Sequence, residues 1–219
     1  MIKAVLFDID GTLLDTSELL YQAFEYAIKS QCLVPPSREK MSKVIGVSLE
    51  KCYLSFAPAG DNKKLCKLHN EFQLENPHLS KLFPQTIEVL KALKEKGIKT
   101  TGITNRWEST AGISVKRAGL LKYLDFVNYR DGFKNIKPDP EMLLHAIEKL
   151  GVSKNEAIMV GDTAIDIKAA GGAGIKSVGV TYGFLGKDIV TVNPDYVIDD
   201  LFVILDLIQD PEKFNLDSA

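Results

Sequence analysis

Asp8 and Asp10 stand two residues apart at the end of an apolar run, Ala4-Val5-Leu6-Phe7, and are followed by Gly11-Thr12. In a strand, residues i and i+2 share a face, so the spacing predicts two carboxylates projecting together from the strand's C-terminal end. In open α/β sheets that end is where ligands bind. Two carboxylates held this close repel unless a cation or a shared proton compensates. The pattern therefore suits divalent-cation binding, acid/base chemistry, or both. Asp-Gly is also a turn signal, and this segment alone does not separate the two readings.

Three further segments do. Gly161-Asp162-Thr163-Ala164-Ile165-Asp166 follows a second apolar run, Ile158-Met159-Val160. Asp162 and Asp166 share a helical face if a helix begins at once, and acidic residues there suit either a cation or the helix N-terminus. Thr104-Asn105 ends the run from Ile98, offering a hydroxyl and an N–H to a phosphate oxygen. Lys137 lies in Lys137-Pro138-Asp139-Pro140, where two prolines stiffen the loop.

The elements that must hold these residues follow from periodicity. Strands are expected at Ile98 to Thr104, Phe126 to Tyr129, Ala157 to Val160, Lys176 to Val180 and Tyr196 to Ile198. Helices are expected at Ile87 to Lys96, Glu108 to Ala118, Glu141 to Leu150, Ala164 to Ala170 and Leu201 to Ile208. Such alternation predicts an α/β fold with a parallel sheet covered on both faces. Residues 16 to 80 differ, reading as helices only: one through Leu19 to Ile28, one from Arg38 toward Ile45 capped by Ser37, one from Ser48 to Phe56, and one from Lys63 to Glu75. An insertion directly after the first carboxylate strand can sit over the sheet's C-terminal edge as a lid.

Bulk properties exclude several classes. The 219 residues are 45% hydrophobic and 26% charged, which fits an ordinary globular chain of one domain or a core plus insertion. The formal net charge of -2 argues against nucleic acid as the main partner. The first apolar run is too short for a signal peptide and no membrane-spanning stretch is present, so a cytoplasmic location is expected. Cys32, Cys52 and Cys66 match no zinc spacing and read as reduced thiols. His69, His78 and His145 show no metal spacing and read as structural or surface residues.

Taken together, Asp8-x-Asp10-Gly11-Thr12, Thr104, Lys137 and Gly161-Asp162-x-x-x-Asp166 resemble, in type and order, the haloacid dehalogenase superfamily of phosphohydrolases. The resemblance covers nearly the whole chain. It implies a Rossmann-like α/β core over 1–15 and 81–209, a helical cap over 16–80 that sets specificity, and a polar tail over 210–219. It further implies that Asp8 attacks phosphorus to form an aspartyl-phosphate, while Asp10 first protonates the leaving group and then activates water. Mg²⁺ would be held by Asp8, the backbone carbonyl of Asp10 and Asp162, with Asp166 close by or acting through water. Thr104 and Lys137 would bind phosphoryl oxygens, and Gly11, Thr12, Asn105, Arg106, Gly46 and Ser48 would line the substrate or phosphate site. Lys43, Lys51 and Arg38 could meet an anionic leaving group, although a solvated helix face is the stronger reading for each.

The retained Asp10 favours phosphate chemistry over dehalogenation, which has no leaving-group oxygen to protonate. The first helix carries leucine where the β-phosphoglucomutase branch has a histidine, which weakens a mutase reading. Ile103-Thr104-Asn105, Lys137-Pro138-Asp139-Pro140 and Val178-Gly179-Val180-Thr181-Tyr182-Gly183 look most like the phosphoglycolate phosphatase and pyrophosphatase branch. Two departures stand out: Pro84-Gln85 where that branch usually has Pro-Gly, and Gly171-Gly172 where it has helix formers. The expectation is thus a phosphatase acting on a small phosphorylated metabolite, phosphoglycolate-like, as a monomer or homodimer. A phosphosugar mutase, an inorganic pyrophosphatase and a non-catalytic binding module on the same fold are the alternatives.

Overall fold

The computed structural model describes residues 1–210. The expected tail over 210–219 therefore lies, apart from Asp210, outside the described residues.

In chain order, β1 (Ala4–Asp8) leads through β2 (Leu14–Asp15) into α1 (Ser17–Lys29), α2 (Arg38–Ser42), α3 (Leu49–Phe56) and α4 (Asn62–Glu75). β3 (Lys81–Leu82) then opens α5 (Thr86–Glu95), β4 (Lys99–Ile103), α6 (Glu108–Arg117), β5 (Phe126–Asn128) and α7 (Glu141–Leu150). β6 (Ala157–Gly161), α8 (Ala164–Ala173), β7 (Lys176–Val180), β8 (Tyr196–Ile198) and α9 (Val203–Leu207) complete the elements of the described residues. Six strands form one sheet in the order β5-β4-β1-β6-β7-β8, every neighbouring pair parallel.

Each residue of β1 is buried, as a central strand covered on both faces requires. Val5 and Phe7 pack with Val89, Leu90 and Leu93 of α5 and Ile204 of α9, while Ala4 and Leu6 pack on the other face against Met142, Leu143 and Ala146 of α7. The α7 positions follow one helical face, and the helix ends at Gly151, whose φ is +64°. Because β1 sits between β4 and β6, with Asp8 beside Ile103, the strand-end residues of all three converge on one edge.

The helices of residues 16–80 bury their own cluster, including Leu20, Phe24, Ile28, Met41, Tyr53 and Leu65. Entry and exit lie side by side, because β2 and β3 pair antiparallel through Leu14–Leu82 and Asp15–Lys81. Two-residue strands leave no periodic signal, so this ribbon was not expected. The helix expected from Arg38 toward Ile45 stops at Ser42; the Met41 carbonyl accepts from both Val44 and Ile45, and Gly46 then turns with φ +112°. The helix expected to stop at Ala170 instead runs through Gly171-Gly172 to Ala173.

Candidate active site

Lys137 is the hub of the site. Its side chain is 1% exposed, and its Nζ donates to Asp8 Oδ1 at 2.5 Å, to Asp166 Oδ1 at 2.7 Å and to the Ile103 carbonyl at 2.8 Å. Asn105 fixes the lysine's backbone: Asn105 Oδ1 accepts from the Lys137 N–H at 3.0 Å, and Nδ2 donates to the Lys137 carbonyl at 2.8 Å. The same Nδ2 donates to the Gly46 carbonyl at 2.8 Å, tying the helical segment to the sheet edge. Asn105 was expected at the phosphate, yet its amide is already occupied by these three bonds.

Asp8, Asp162 and Asp166 bring one oxygen each within 4.8 Å of one another, all buried. Three carboxylates thus face one ammonium, and two formal negative charges remain. Burial pushes Asp8 well above the usual carboxylate range against the pull of Lys137, with Asp166 and Asp162 adding to the rise. Asp162 is raised to about 8, first by burial and then by Asp166. Burial alone would lower Lys137, but Asp166 and Asp8 outweigh it and the net shift is upward. Asp162 Oδ2 accepts the Phe184 N–H at 2.6 Å, whereas its Oδ1 is buried with no hydrogen-bond partner. An orphaned carboxylate oxygen among three converging hard oxygen donors, with surplus negative charge, fits Mg²⁺.

Asp10 differs from the expectation. The strand ends at Asp8, and Asp10 lies in the following turn, bridged to Leu14. Its carboxylate therefore leaves the acidic cluster: Oδ1 accepts from Arg106 Nη1 at 2.6 Å and Oδ2 from the Thr104 hydroxyl at 2.9 Å. Thr104 and Arg106, both expected at phosphate oxygens, hold Asp10 in this state, while Arg106 Nε and Nη2 remain buried and unpaired. Asp166 serves two partners, since its Oδ2 also closes a capping box with Thr163, accepting from the hydroxyl at 2.5 Å and the N–H at 3.1 Å.

Gly11 has φ +92°, and a Cβ there would lie 2.2 Å from Asp162 Oδ2. The turn therefore needs glycine to bring backbone against the cluster. Thr12 is buried; its carbonyl accepts from the Tyr182 hydroxyl at 3.1 Å and its own hydroxyl is unpaired. Gly183, absent from the expected set, packs on the other side of Asp162, where a Cβ would lie 2.3 Å from the Asp162 Cβ. Its place after β7, at the same edge as the other motifs, was the available signal.

The cleft between sheet edge and helical segment spans roughly 700 Å³ with the solvent at its mouth included. Asp8, Asp10, Thr104, Asn105, Arg106, Lys137 and Gly46 line it. Ser48 does not; it occupies the N-cap position of α3, where its carbonyl accepts from Cys52. Lys43, Lys51 and Arg38 do not reach it either: Arg38 pairs with Glu18 and Lys43 with Glu39 on the surface. His69, Asn70 and Gln73 of α4, Trp107, and Arg130 line it without having been anticipated.

Residues 5–180 match the family model of the haloacid dehalogenase-like hydrolases. A Clostridium perfringens protein assigned provisionally as pyrophosphatase PpaX is 37% identical over 98% of this chain and 100% of its own length. A phosphoglycolate phosphatase of Agrobacterium fabrum is 33% identical over 89% of this chain and 87% of its own. A crystal structure from Haemophilus somnus, described as a predicted phosphoglycolate phosphatase, superimposes with a TM-score of 0.86 at 26% identity, covering 94% of this chain and 97% of that one.

Proposed function

The chain belongs to the haloacid dehalogenase-like hydrolases, and from that premise we propose that it is a Mg²⁺-dependent phosphatase. It hydrolyses a small phosphorylated metabolite through an aspartyl-phosphate on Asp8. The observation that carries the reading is the buried set of Asp8, Asp162 and Asp166 around Lys137, with one Asp162 oxygen unpaired.

The Asp8 oxygen attacks phosphorus and the bond to the leaving oxygen breaks. Asp10 delivers a proton to that oxygen, then takes one from the water that cleaves the acyl phosphate. Thr104 and Arg106 orient Asp10, and the free Nε and Nη2 of Arg106 are donors for phosphoryl oxygens. Lys137 keeps Asp8 aimed and offsets charge as the anionic phosphate approaches. Asp8, Asp162 and Asp166, with the backbone carbonyl of Asp10, are the groups to hold Mg²⁺, which when bound offsets the repulsion between carboxylate and phosphate. Residues 16–80 act as a lid over the core of 1–15 and 81–209. The Asn105–Gly46 bond and the Arg130–Glu50 ion pair at 3.2 Å support that role. Free Cys32, Cys52 and Cys66 suit a reducing cytoplasmic setting. Among the described residues no helix is long and apolar enough to cross a membrane.

A second reading, an inorganic pyrophosphatase using the same residues, is favoured by the PpaX relatives. The mutase reading loses ground because Leu20 lines the cleft from the first helix, where an acid/base side chain would be needed. The test is phosphate release from p-nitrophenyl phosphate with Mg²⁺. Wild type is expected to turn over, and Asp8→Asn to fall by at least about 10³-fold. Activity retained in Asp8→Asn would sink the nucleophile assignment.

A further inference from the structure

The part of the cleft built by residues 16–80 has an unusual balance of chemistry. Its apolar contribution comes from Leu20, Phe24, Ile45, Val47 and Leu49. Its polar contribution is a single row on α4: His69, Asn70 and Gln73, at i, i+1 and i+4 on one face. Among the described residues of this segment, no lysine, arginine, aspartate or glutamate lines the cleft. His69 adds no charge either, since it is 1% exposed, its Nδ1 lies 2.9 Å from the Tyr53 hydroxyl, and burial lowers it to about 3. The cations of the cleft all belong to the core and are already engaged: Lys137 with Asp8 and Asp166, Arg106 with Asp10, and Arg130 with Glu50. Arg130 also stacks over Trp107, 4.9 Å from its ring centroid.

Among the residues that line the cleft from this segment, Gln73 alone has a buried side-chain polar atom without a partner. It is 4% exposed, and its Oε1 has no hydrogen-bond partner. A buried amide left unpaired is costly, and a ligand group that pairs with it recovers that cost. A hydroxyl both donates and accepts, so it can satisfy either end of the amide. A carboxylate or a second phosphoryl group offers acceptors only. It would also be stripped of water against Leu20, Phe24 and Ile45 with no counter-charge on that side.

We propose that this wall selects an organic phosphate monoester whose leaving group is an uncharged, hydroxyl-bearing alcohol, with Gln73 as the residue that reads the hydroxyl. The inference rests on the phosphatase reading above and narrows it: neither pyrophosphate nor phosphoglycolate has such a leaving group. Arg106, whose unpaired edge lies beside Asp10, is left for the phosphoryl oxygens.

The test compares kcat/KM with Mg²⁺ for matched pairs: glycerol 1-phosphate against propyl phosphate, and glucose 6-phosphate against its 2-deoxy analogue. Phosphoglycolate, pyrophosphate and p-nitrophenyl phosphate complete the panel. For wild type, at least one hydroxylated member is expected to exceed its deoxygenated partner by about tenfold or more, and to exceed phosphoglycolate and pyrophosphate. In Gln73→Leu, of similar volume, that ratio is expected to collapse toward one. Phosphoglycolate or pyrophosphate as the best substrate, equal rates within both pairs, or a hydroxyl preference that survives Gln73→Leu would each overturn the inference. If the variant does not fold, the wild-type pairs still decide it. Release from p-nitrophenyl phosphate alongside any of those results leaves the phosphatase reading standing. No release from any substrate removes that reading and this inference together.

Discussion

Asp166 illustrates how one side chain can satisfy two readings of a sequence. Its spacing fits both a helix cap and a metal site; Oδ2 caps Thr163, while Oδ1 accepts from the Lys137 ammonium beside Asp8 and Asp162. Spacing alone has no means of dividing a carboxylate between its two oxygens. Asp8, Asp162 and Lys137 were legible because strand-end carboxylates and a proline-braced lysine are unusual in combination. Gln73 was not, since an amide on an amphipathic helix reads as part of a solvated face. His69 was legible as a structural residue but not as part of the cleft. Its depressed pKa makes a stability prediction with a definite sign. The folded state resists protonating His69 until about 3, whereas the unfolded chain takes the proton near 6.5. The unfolded state therefore binds more protons in that window, and stability falls as pH drops from about 6.5 toward 3, by roughly 1.4 kcal/mol per unit. Denaturant melts across this range should show His69→Gln with a shallower acid slope than wild type. Parallel slopes would reject the assignment.

At the level of elements, helices were legible where apolar periodicity coincided with a cap or a glycine, as in α7. The β2–β3 ribbon and the 3₁₀ turns at Leu120–Lys122 and Lys154–Glu156 were not, being too short to carry a period, whereas the three-residue strands β5 and β8 were legible from their place in the strand–helix alternation. Gln85 and the Gly171-Gly172 pair, both unexpected on the resemblance, stand in different settings. Gln85 stands at φ +65°, in the left-handed region that favours glycine. Its side-chain amide, turned nitrogen-first, donates to both Asp200 oxygens at 2.6 and 3.1 Å, offsetting part of that strain. In α8, a Cβ on Gly172 would meet the Pro140 ring at 3.3 Å, whereas a Cβ on Gly171 would meet nothing within 4 Å. Gly172 thus serves the approach of α8 to the start of α7; nothing in the structure explains Gly171. Thermal or denaturant unfolding should find Gly171→Ala more stable by about 0.5–1 kcal/mol, from helix propensity alone. Gly172→Ala should gain less than that or lose stability. Equal gains at both positions would refute the packing argument.

For the molecule as a whole, the acidic cluster sets a cost that a bound divalent cation would relieve. Asp162, raised to about 8, binds a proton in the fold at pH values where the unfolded chain has released it. Its contribution to metal-free stability is therefore complete below about pH 4 and is lost as pH rises toward 8. Mg²⁺ would bind the deprotonated carboxylates, so its stabilisation is expected to grow over the same interval, reaching about 2.7 kcal/mol at a hundredfold excess over Kd. Melting curves in chelator and in Mg²⁺ at several pH values check this, and Asp162→Asn should flatten the slope between about pH 4 and 8 and weaken the Mg²⁺ response, the raised Asp8 supplying what slope remains. The central proposal is that Asp8, which pairs with Lys137, is the nucleophile. Its most direct test is to quench the enzyme during turnover with Mg²⁺, reduce any acyl phosphate with borohydride, and map the product by peptide mass spectrometry. Asp8, and no other aspartate, is expected to be converted to homoserine. Turnover that leaves Asp8 unmodified, or that labels a different residue, would contradict it.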